Sequence, residues 1–573
     1  MMQNLMTTRG EQLQGTPWTA YPRPQMKRDS YINLNGEWEF SLSPKGFEKK
    51  IMLPFCPESN LSGINTHFSE GSDLFYRRYV TLPDGFCNDR ILLHIDAADQ
   101  TARVYVNGHI AGDHQGLGAF CVDVTHAWQA GENEIVICCR DDLKDQSYPY
   151  GKQTMLRGGM WYTPVSGIWQ SVWLESVPEI HIEKLNIENR GYSVTISTVP
   201  ALDGKVTVKG LGEYALHNGC VTITPENPHL WSPENPYLYD FTVECGEDRV
   251  ESYFAVRSLE IKKVGEYPRL CLNGKPYFFH ALLDQGYWPD GIYMPAAPEC
   301  YADDILAMKN LGFNTLRKHI KVEPEEFYYQ CDRLGMIVFQ DMVNNSDYGY
   351  LRDTVLPTLF LSYQNRSDKR LHLNDAHRQR FLEAMEATVE QLKNHPCICY
   401  WTIFNEGWGQ FDADSVYEQF RKLDDTRFID ATSGWFRQEQ SDVDSRHVYF
   451  RKINLKSDGQ KPLILSEFGG KTWAVENHVF NPDKTYGYGS CKTREELNEA
   501  VVKLYMEEVL PCVKRGLCGA VYTQVSDVED EINGLVTYDR KVIKLDPEKM
   551  LPVAAALQQA IGEKEVANSG KIG

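Results

Sequence analysis

Apolar and polar positions alternate in short runs over the first 177 residues. Ile91-Leu92-Leu93-His94-Ile95, Val104-Tyr105-Val106 and Glu134-Ile135-Val136-Ile137 are separated by turn signals such as Asn107-Gly108. This spacing predicts an all-β sandwich of jelly-roll-like kind, residues 1–177, ending at Gly167-Ile168-Trp169-Gln170-Ser171-Val172-Trp173-Leu174-Glu175 ahead of Pro178. A second β segment, residues 178–262, holds Val206-Thr207-Val208, Val221-Thr222-Ile223-Thr224 and Tyr237-Leu238-Tyr239. That is enough for a small immunoglobulin-like sandwich.

The period changes near Tyr267, and residues 263–573 alternate strand-like runs with helix-period segments, the mark of a parallel α/β fold. The candidate strands are Pro276–Leu283, Thr315–Arg317, Met336–Gln340, Cys397–Phe404, Arg427–Ala431, His447–Phe450, Leu463–Leu465 and Gly519–Gln524. Helices are expected at Tyr301–Leu311, Pro324–Leu334 and His377–Lys393. Eight such units in about 300 residues fit a closed (β/α)8 barrel. The stretch Met342–Ala376 is a long insertion after strand three and is expected to wall a pocket.

Two glutamates stand at the ends of apolar strands in this barrel. Glu406 follows Cys397-Ile398-Cys399-Tyr400-Trp401-Thr402-Ile403-Phe404-Asn405, and Glu467 follows Pro462-Leu463-Ile464-Leu465-Ser466. The C-terminal tips of barrel strands form the face that carries active sites. Two carboxylates converging there suit retaining glycoside hydrolysis, one as proton donor and one as nucleophile. The bland alternative is that each caps a following helix.

Composition narrows the partners. A length of 573 residues predicts roughly three or four folding units, and 42% hydrophobic with 24% charged residues excludes disordered and fibrous classes. A net charge of −20 argues against nucleic acid or an anionic membrane as partner. The start of the chain lacks the apolar core of a signal peptide, and no apolar run reaches bilayer-spanning length. Fifteen cysteines, an odd number with Cys138, Cys139, Cys397 and Cys399 in apparent strands, read as buried free thiols of a reducing cytoplasm. Cys397-x-Cys399 has no second ligand pair at zinc-site spacing. Of the 12 tryptophans and 31 tyrosines most are expected in cores, while a minority on loops would suit sugar rings.

In this order, several motifs resemble glycoside hydrolase family two, the group of β-galactosidases, β-glucuronidases and β-mannosidases. Leu34-Asn35-Gly36-Glu37-Trp38-Glu39-Phe40 resembles the start of its sugar-binding sandwich, and Gly167-Ile168-Trp169 with Val172 its end. Pro228-His229-Leu230-Trp231-Ser232-Pro233-Glu234-Asn235-Pro236-Tyr237-Leu238-Tyr239 resembles the central sandwich, and Phe254-Ala255-Val256-Arg257-Ser258 the passage into the barrel. The resemblance covers nearly the whole chain. It implies that Glu406 is the general acid/base and Glu467 the nucleophile. Glu406 must then start protonated, which burial and the nearby Glu467 would favour.

The resemblance also implies that Asn405 bonds the sugar 2-hydroxyl (alternatively a helix N-cap), that Tyr449 contacts the nucleophile, and that Arg317 orients it and keeps it ionised. Asp341 and Tyr522 would line the sugar subsite, with Asp284, Trp435 and Lys318 completing the expected substrate-binding set. No organic cofactor is implied. Some relatives use magnesium or sodium, but no ligand cluster in the sequence demands a metal. Dimers or tetramers are common among relatives, so a homo-oligomer is an expectation of the same kind.

Departures bear on the substrate. Where the family often has Arg-Thr-Ser-His-Tyr-Pro, this chain has Arg317-Lys318-His319-Ile320-Lys321-Val322. After strand one it has Asp284-Gln285-Gly286-Tyr287-Trp288-Pro289-Asp290 rather than a histidine–acid pair. The Asn-x-Lys with which glucuronidases hold a carboxylate is absent before Tyr538-Asp539-Arg540. Lys318 or Lys321 could substitute; otherwise one is expected to be exposed and the other paired with an acid. The reading is an exo-acting retaining β-glycosidase, β-galactosidase-like first, with β-glucuronidase and a pentose-specific enzyme as alternatives. A carbohydrate-binding protein that has lost the chemistry is the rival of a different class. A Ser-His-Asp hydrolase finds no Gly-x-Ser-x-Gly elbow here.

Overall fold

The computed structural model describes residues 3–69, 71–116, 118–358 and 367–562. Burial follows the sequence pattern. In the first sandwich a strand such as Glu132–Arg140 alternates buried and exposed side chains, because one face meets the core and the other water. A six-stranded antiparallel sheet packs on a four-stranded one, and Val172–Val177 is the last strand of the pair. The second unit is a smaller sandwich with sheets of three and four strands, from Lys184–Arg190 to Asp248–Phe254.

The barrel strands are β1 (Phe279–Asp284), β2 (Thr315–Lys318), β3 (Ile337–Asp341), β4 (Ile398–Asn405), β5 (Phe428–Ser433), β6 (Asp444–Val448), β7 (Leu463–Gly469) and β8 (Leu517–Thr523). Nearly every side chain in them is buried, as expected for parallel strands wrapped by helices. Seven neighbouring pairs form parallel ladders. The eighth seam, between β5 and β6, is bridged by Asp442: its backbone N–H donates to the Ile429 carbonyl, and its carboxylate accepts from the Ile429 N–H at 2.8 Å.

All eight expected strands are present, with edges moved by a few residues. Strand six shifts most: it ends at Val448, so Tyr449 and Phe450 lie just beyond it. The antiparallel strand Tyr267–Leu272 precedes the barrel, and Arg269 beneath it donates to the carbonyls of Leu517 and Val513, plugging the barrel floor. The expected helices appear as Glu299–Asn310, Glu325–Leu334 and Asp375–Leu392.

Buried polar contacts fix the units together. Arg28 bridges Glu175 of the first sandwich and Asp248 of the second, all three buried. The fully buried Trp231 donates its indole N–H to the Asp332 carbonyl of the barrel at 2.8 Å. The loop after Glu132–Arg140 leaves the first sandwich and reaches the barrel mouth. There Asn345 Nδ2 donates to the Ser147 carbonyl at 2.7 Å, and the Tyr150 hydroxyl donates to the Ser346 carbonyl at 2.7 Å.

All fifteen cysteines are free thiols; most are buried, but Cys138 and Cys491 are half-buried and Cys87, Cys121 and Cys220 are exposed. Among the described residues no helix is long and apolar enough to cross a membrane.

Candidate active site

Glu406 and Glu467 converge at the C-terminal mouth of the barrel. One carboxylate oxygen of each and one ring nitrogen of His447 all lie within 4.8 Å of one another. A nucleophile and acid/base serving one anomeric carbon stand about 5–5.5 Å apart, and two carboxylates this close suit that pairing. Neither glutamate caps a helix: the next helices begin at Ala413 and Arg494. Glu467 lies inside β7, at a break in register with β8, rather than after the strand. Glu406 follows β4 with φ +53°, a left-handed backbone that a glutamate adopts at a cost, and such strain concentrates at functional sites.

The Glu467 carboxylate is held from several sides. Arg317 Nη1 donates to Oε1 at 3.1 Å and the Tyr449 hydroxyl donates to Oε2 at 2.9 Å. Burial alone would push its pKa up. His447, Arg317, His319 and Lys152 outweigh burial and bring it down to about 2, so the group is an anion at neutral pH. The same Arg317 donates from Nε to Asp341 at 3.0 Å and from Nη2 to Asn405 Oδ1 at 2.8 Å. Burial works against its charge, but Asp341 and Glu467 keep it more firmly protonated than a free guanidinium.

Glu406 is the more open carboxylate, 19% exposed at its side chain against 8% for Glu467. Its Oε1 lies 2.7 Å from His447 Nδ1, and His447 Nε2 faces Ser433 Oγ at 3.0 Å and Glu467 Oε1 at 3.7 Å.

A cavity of about 290 Å³ opens over this pair, lined among others by Lys152, Gln285, Trp435, Tyr449, Phe450, Tyr488 and Glu531. Tyr488 stacks on Tyr449, Phe450 is 74% exposed at the rim, and Trp435 meets His447 edge-on. Thr354 and Pro357 of the insertion after β3 also line it; the rest of the expected wall at 359–366 lies outside the described residues. Larger cavities of about 400 and 320 Å³ lie between the first sandwich and helix Asp375–Leu392, but neither is lined by Glu406 or Glu467.

The expected residues divide. Arg317, Asn405 and Tyr449 meet the glutamates, and Trp435 lines the cavity. Asn405 caps no helix; its Oδ1 accepts from Arg317, and its Nδ2 is left to donate to a sugar hydroxyl. Four expected pocket residues line no part of the cavity. Asp341 is buried beneath it, bonded to Arg317 and His319. Tyr522 packs its ring on Gly469 and accepts from the Lys471 N–H, behind β7. Asp284 and Lys318 pair with each other at 2.7 Å on the far side of β1 and β2.

Neither lysine of the departure is exposed. Lys318 also reaches Glu323 at 2.8 Å, and Lys321 reaches Glu323 at 2.9 Å and the carbonyls of Gly286 and Tyr293. Strand alternation explains this: Arg317 points into the barrel, so its neighbour Lys318 points out.

The sequence reading overlooked His447, Lys152, Glu531 and Gln285. His447 stands two positions before Tyr449, and the two-residue period of a strand would have placed both on one face. Lys152 carried no signal, because it arrives from another domain.

A three-unit chain with a two-glutamate barrel mouth is the architecture of a modular glycosidase. Three family models match in order: the sugar binding domain of glycosyl hydrolases family 2 at residues 60–178, its central domain at 178–257 and its TIM barrel domain at 270–543. The chain belongs to glycoside hydrolase family 2.

Its curated relatives carry two kinds of name. A β-galactosidase of Thermoanaerobacter pseudethanolicus is 23% identical over 510 residues, covering 79% of this chain and 63% of that protein. A β-glucuronidase of Streptococcus agalactiae is 22% identical over 524 residues, covering 79% and 84%. The chain spans 54–65% of the length of the first three curated relatives it matches. Among solved structures, a β-D-glucuronidase from Dictyoglomus thermophilum has a TM-score of 0.71 at 19% identity, covering 95% of this chain and 98% of that one. A β-galacturonidase from Eisenbergiella tayi gives 0.65 at 19%, covering 94% and 99%. At such identities the structures speak for the fold alone.

Proposed function

We propose that the protein is a retaining exo-β-glycosidase that removes one terminal sugar from a small glycoside or oligosaccharide. The observation that carries this is the approach of Glu406 and Glu467 to within 4.8 Å over a cavity of about 290 Å³. A second cavity end that would admit an internal chain segment is not needed for such a reaction.

In the first step Glu467, ionised and aimed by Arg317 and Tyr449, attacks the anomeric carbon. Glu406 gives its proton to the glycosidic oxygen, the C–O bond to the aglycone breaks, and a glycosyl ester forms on Glu467. In the second step Glu406, now a carboxylate, takes a proton from water as that water attacks the same carbon, and Glu467 leaves as an anion. His447 is placed to share the travelling proton with Glu406 in both states. Glu406, His447 and Glu467 are also the group among the described residues that could hold a metal ion. A cation there would sit between the two catalytic carboxylates.

For the glycone, the sequence favours a β-galactoside, and the glucuronidases among the relatives keep a uronide as the second reading. A panel of nitrophenyl β-galactoside, β-glucoside, β-glucuronide, β-mannoside and α-arabinoside, run with Glu406→Gln and Glu467→Gln, tests the reaction. Hydrolysis of one glycone that disappears in both variants supports it. Hydrolysis that persists in both overturns the two-glutamate assignment. Sugar binding without hydrolysis of any glycone would favour the binding-protein rival.

A further inference from the structure

Three polar side chains in the cavity take no part in those steps. Lys152 comes from the first sandwich, Gln285 from the loop after β1, and Glu531 from the loop after β8. The Tyr162 hydroxyl donates to Glu531 Oε2 and Asn533 Nδ2 donates to Oε1 at 2.9 Å. Both donors are neutral; burial pushes the Glu531 carboxyl above its usual pKa, with Lys152 and these two donors pulling the other way. No lysine or arginine nitrogen among the described residues lies within 4.0 Å of it. Each oxygen keeps a lone pair for a further donor.

Gln285 Oε1 is buried and has no hydrogen-bond partner among the described residues. Lys152 Nζ makes no ion pair or hydrogen bond with a described side chain, yet its charge bears on both Glu467 and Glu531. A buried amide oxygen, a carboxylate and an ammonium around one cavity, none closed on another, leave a space that asks for hydroxyl groups. A hydroxyl donates to the first two and accepts from the third.

Charged groups of both signs already meet at the cavity. Glu467 is met by Arg317 at 3.1 Å and Glu531 by Lys152 across the gap. Arg446, which also lines the cavity, is bound along one edge to both oxygens of Asp444, and Arg451 stands exposed at the rim. A neutral sugar adds no charge to this set. A uronic acid would bring a further carboxylate into a cavity already lined by Glu406, Glu467 and Glu531.

We propose that Glu531, Gln285 and Lys152 recognise the hydroxyls of the glycone, and that this set selects an uncharged sugar over a uronic acid. The inference rests on the retaining-glycosidase reading and deepens it by separating the two kinds of substrate named among the relatives.

The test compares kcat/KM on nitrophenyl β-galactoside, β-glucoside, β-glucuronide and β-galacturonide for the wild type, Glu531→Gln, Lys152→Met and Glu467→Gln. The ratio between glycones is independent of the fraction of enzyme that folds. The wild type is expected to favour a neutral glycone over both uronides by about 100-fold or more. Glu531→Gln should lower kcat/KM on that glycone by roughly 10- to 100-fold and narrow the discrimination, since the repelling charge is gone. Lys152→Met should also lower it, without creating a uronide preference. A wild type that prefers a uronide, with the preference lost in Lys152→Met and all turnover lost in Glu467→Gln, overturns this proposal alone. It would make Lys152 the receptor of the substrate carboxylate. Unchanged ratios in Glu531→Gln also overturn it. Turnover that survives in Glu467→Gln overturns the two-glutamate reading, and the recognition set with it.

Discussion

Two clusters of charge stand back to back across β2. On the inner side Arg317 holds Asp341, Asn405 and Glu467 at the foot of an open cavity. On the outer side Lys318 and Lys321 meet Asp284 and Glu323; Lys321 also donates to the carbonyls of Gly286 and Tyr293, and Lys318 lies over the Phe327 ring. Both clusters are buried, and both shift their members' pKa values. Burial lowers Lys321 to about 8, while Lys318, also opposed by burial, is held up by Asp284 and Glu323.

The difference is what each leaves unsatisfied. The outer set pairs two cations with two anions, so its charges close on one another. The inner set ends in a carboxylate facing empty space beside a second glutamate and a histidine. A perturbed pKa marks both clusters; only the open one has chemistry left to do.

Substitutions should separate the two. Glu467→Gln and Glu406→Gln remove the nucleophile and the proton donor, and kcat on a nitrophenyl glycoside should fall by about 10⁴-fold or more, with substrate binding retained. Arg317→Met comes next, with a loss of roughly 10²- to 10³-fold in kcat.

Arg317→Met also carries a signature in pH. The nucleophile must be ionised, so activity falls as pH drops through its pKa. In the wild type that lies near 2 because His447, Arg317, His319 and Lys152 outweigh burial. Without Arg317 burial regains ground, and an acid limb should appear at higher pH in the kcat/KM profile. An unchanged limb would mean that Arg317 does not set the charge of Glu467.

Across the strand the opposite outcome is expected. Lys318→Met leaves Asp284 and Glu323 short of a partner, a loss of about 3–5 kcal/mol for a broken buried pair. Thermal unfolding should move down by several degrees while kcat of the folded fraction stays within about 3-fold of wild type. Loss of turnover without loss of stability would erase the distinction between the clusters. His447→Gln should lower kcat by roughly 10-fold and displace a limb of the pH–rate profile, with KM little changed. The smallest effect belongs to Phe450→Ala at the rim: a few-fold rise in KM for an aromatic aglycone and none for a methyl glycoside.

What could be read in the sequence was whatever local pattern dictates. The eight barrel strands, and the two glutamates at the mouth, follow from hydrophobic runs and from the rule that sites sit at strand tips. Arg317 and Tyr449 were legible through motif resemblance. The expected roles of Asp284, Lys318 and Tyr522 in the pocket were lost to geometry: one residue along a strand reverses the face, and Tyr522 stands behind β7.

Lys152 shows the other limit. It is more than 250 residues from Glu406 and more than 300 from Glu467 in sequence, and only the loop from the first sandwich, tied down by Asn345 and Ser346, brings it to the cavity. Long-range placement of this kind is set by domain packing, which no local pattern encodes.

The central claim is that Glu467 forms the covalent link to sugar. Incubation with a 2-deoxy-2-fluoro β-glycoside bearing a good leaving group, followed by proteolysis and mass spectrometry, examines that bond directly, since the fluorine slows release of the intermediate. One fluorosugar per chain is expected, on the peptide that contains Glu467, and none in Glu467→Gln. Label on another residue, or steady hydrolysis of the parent glycoside by Glu467→Gln, would contradict the claim.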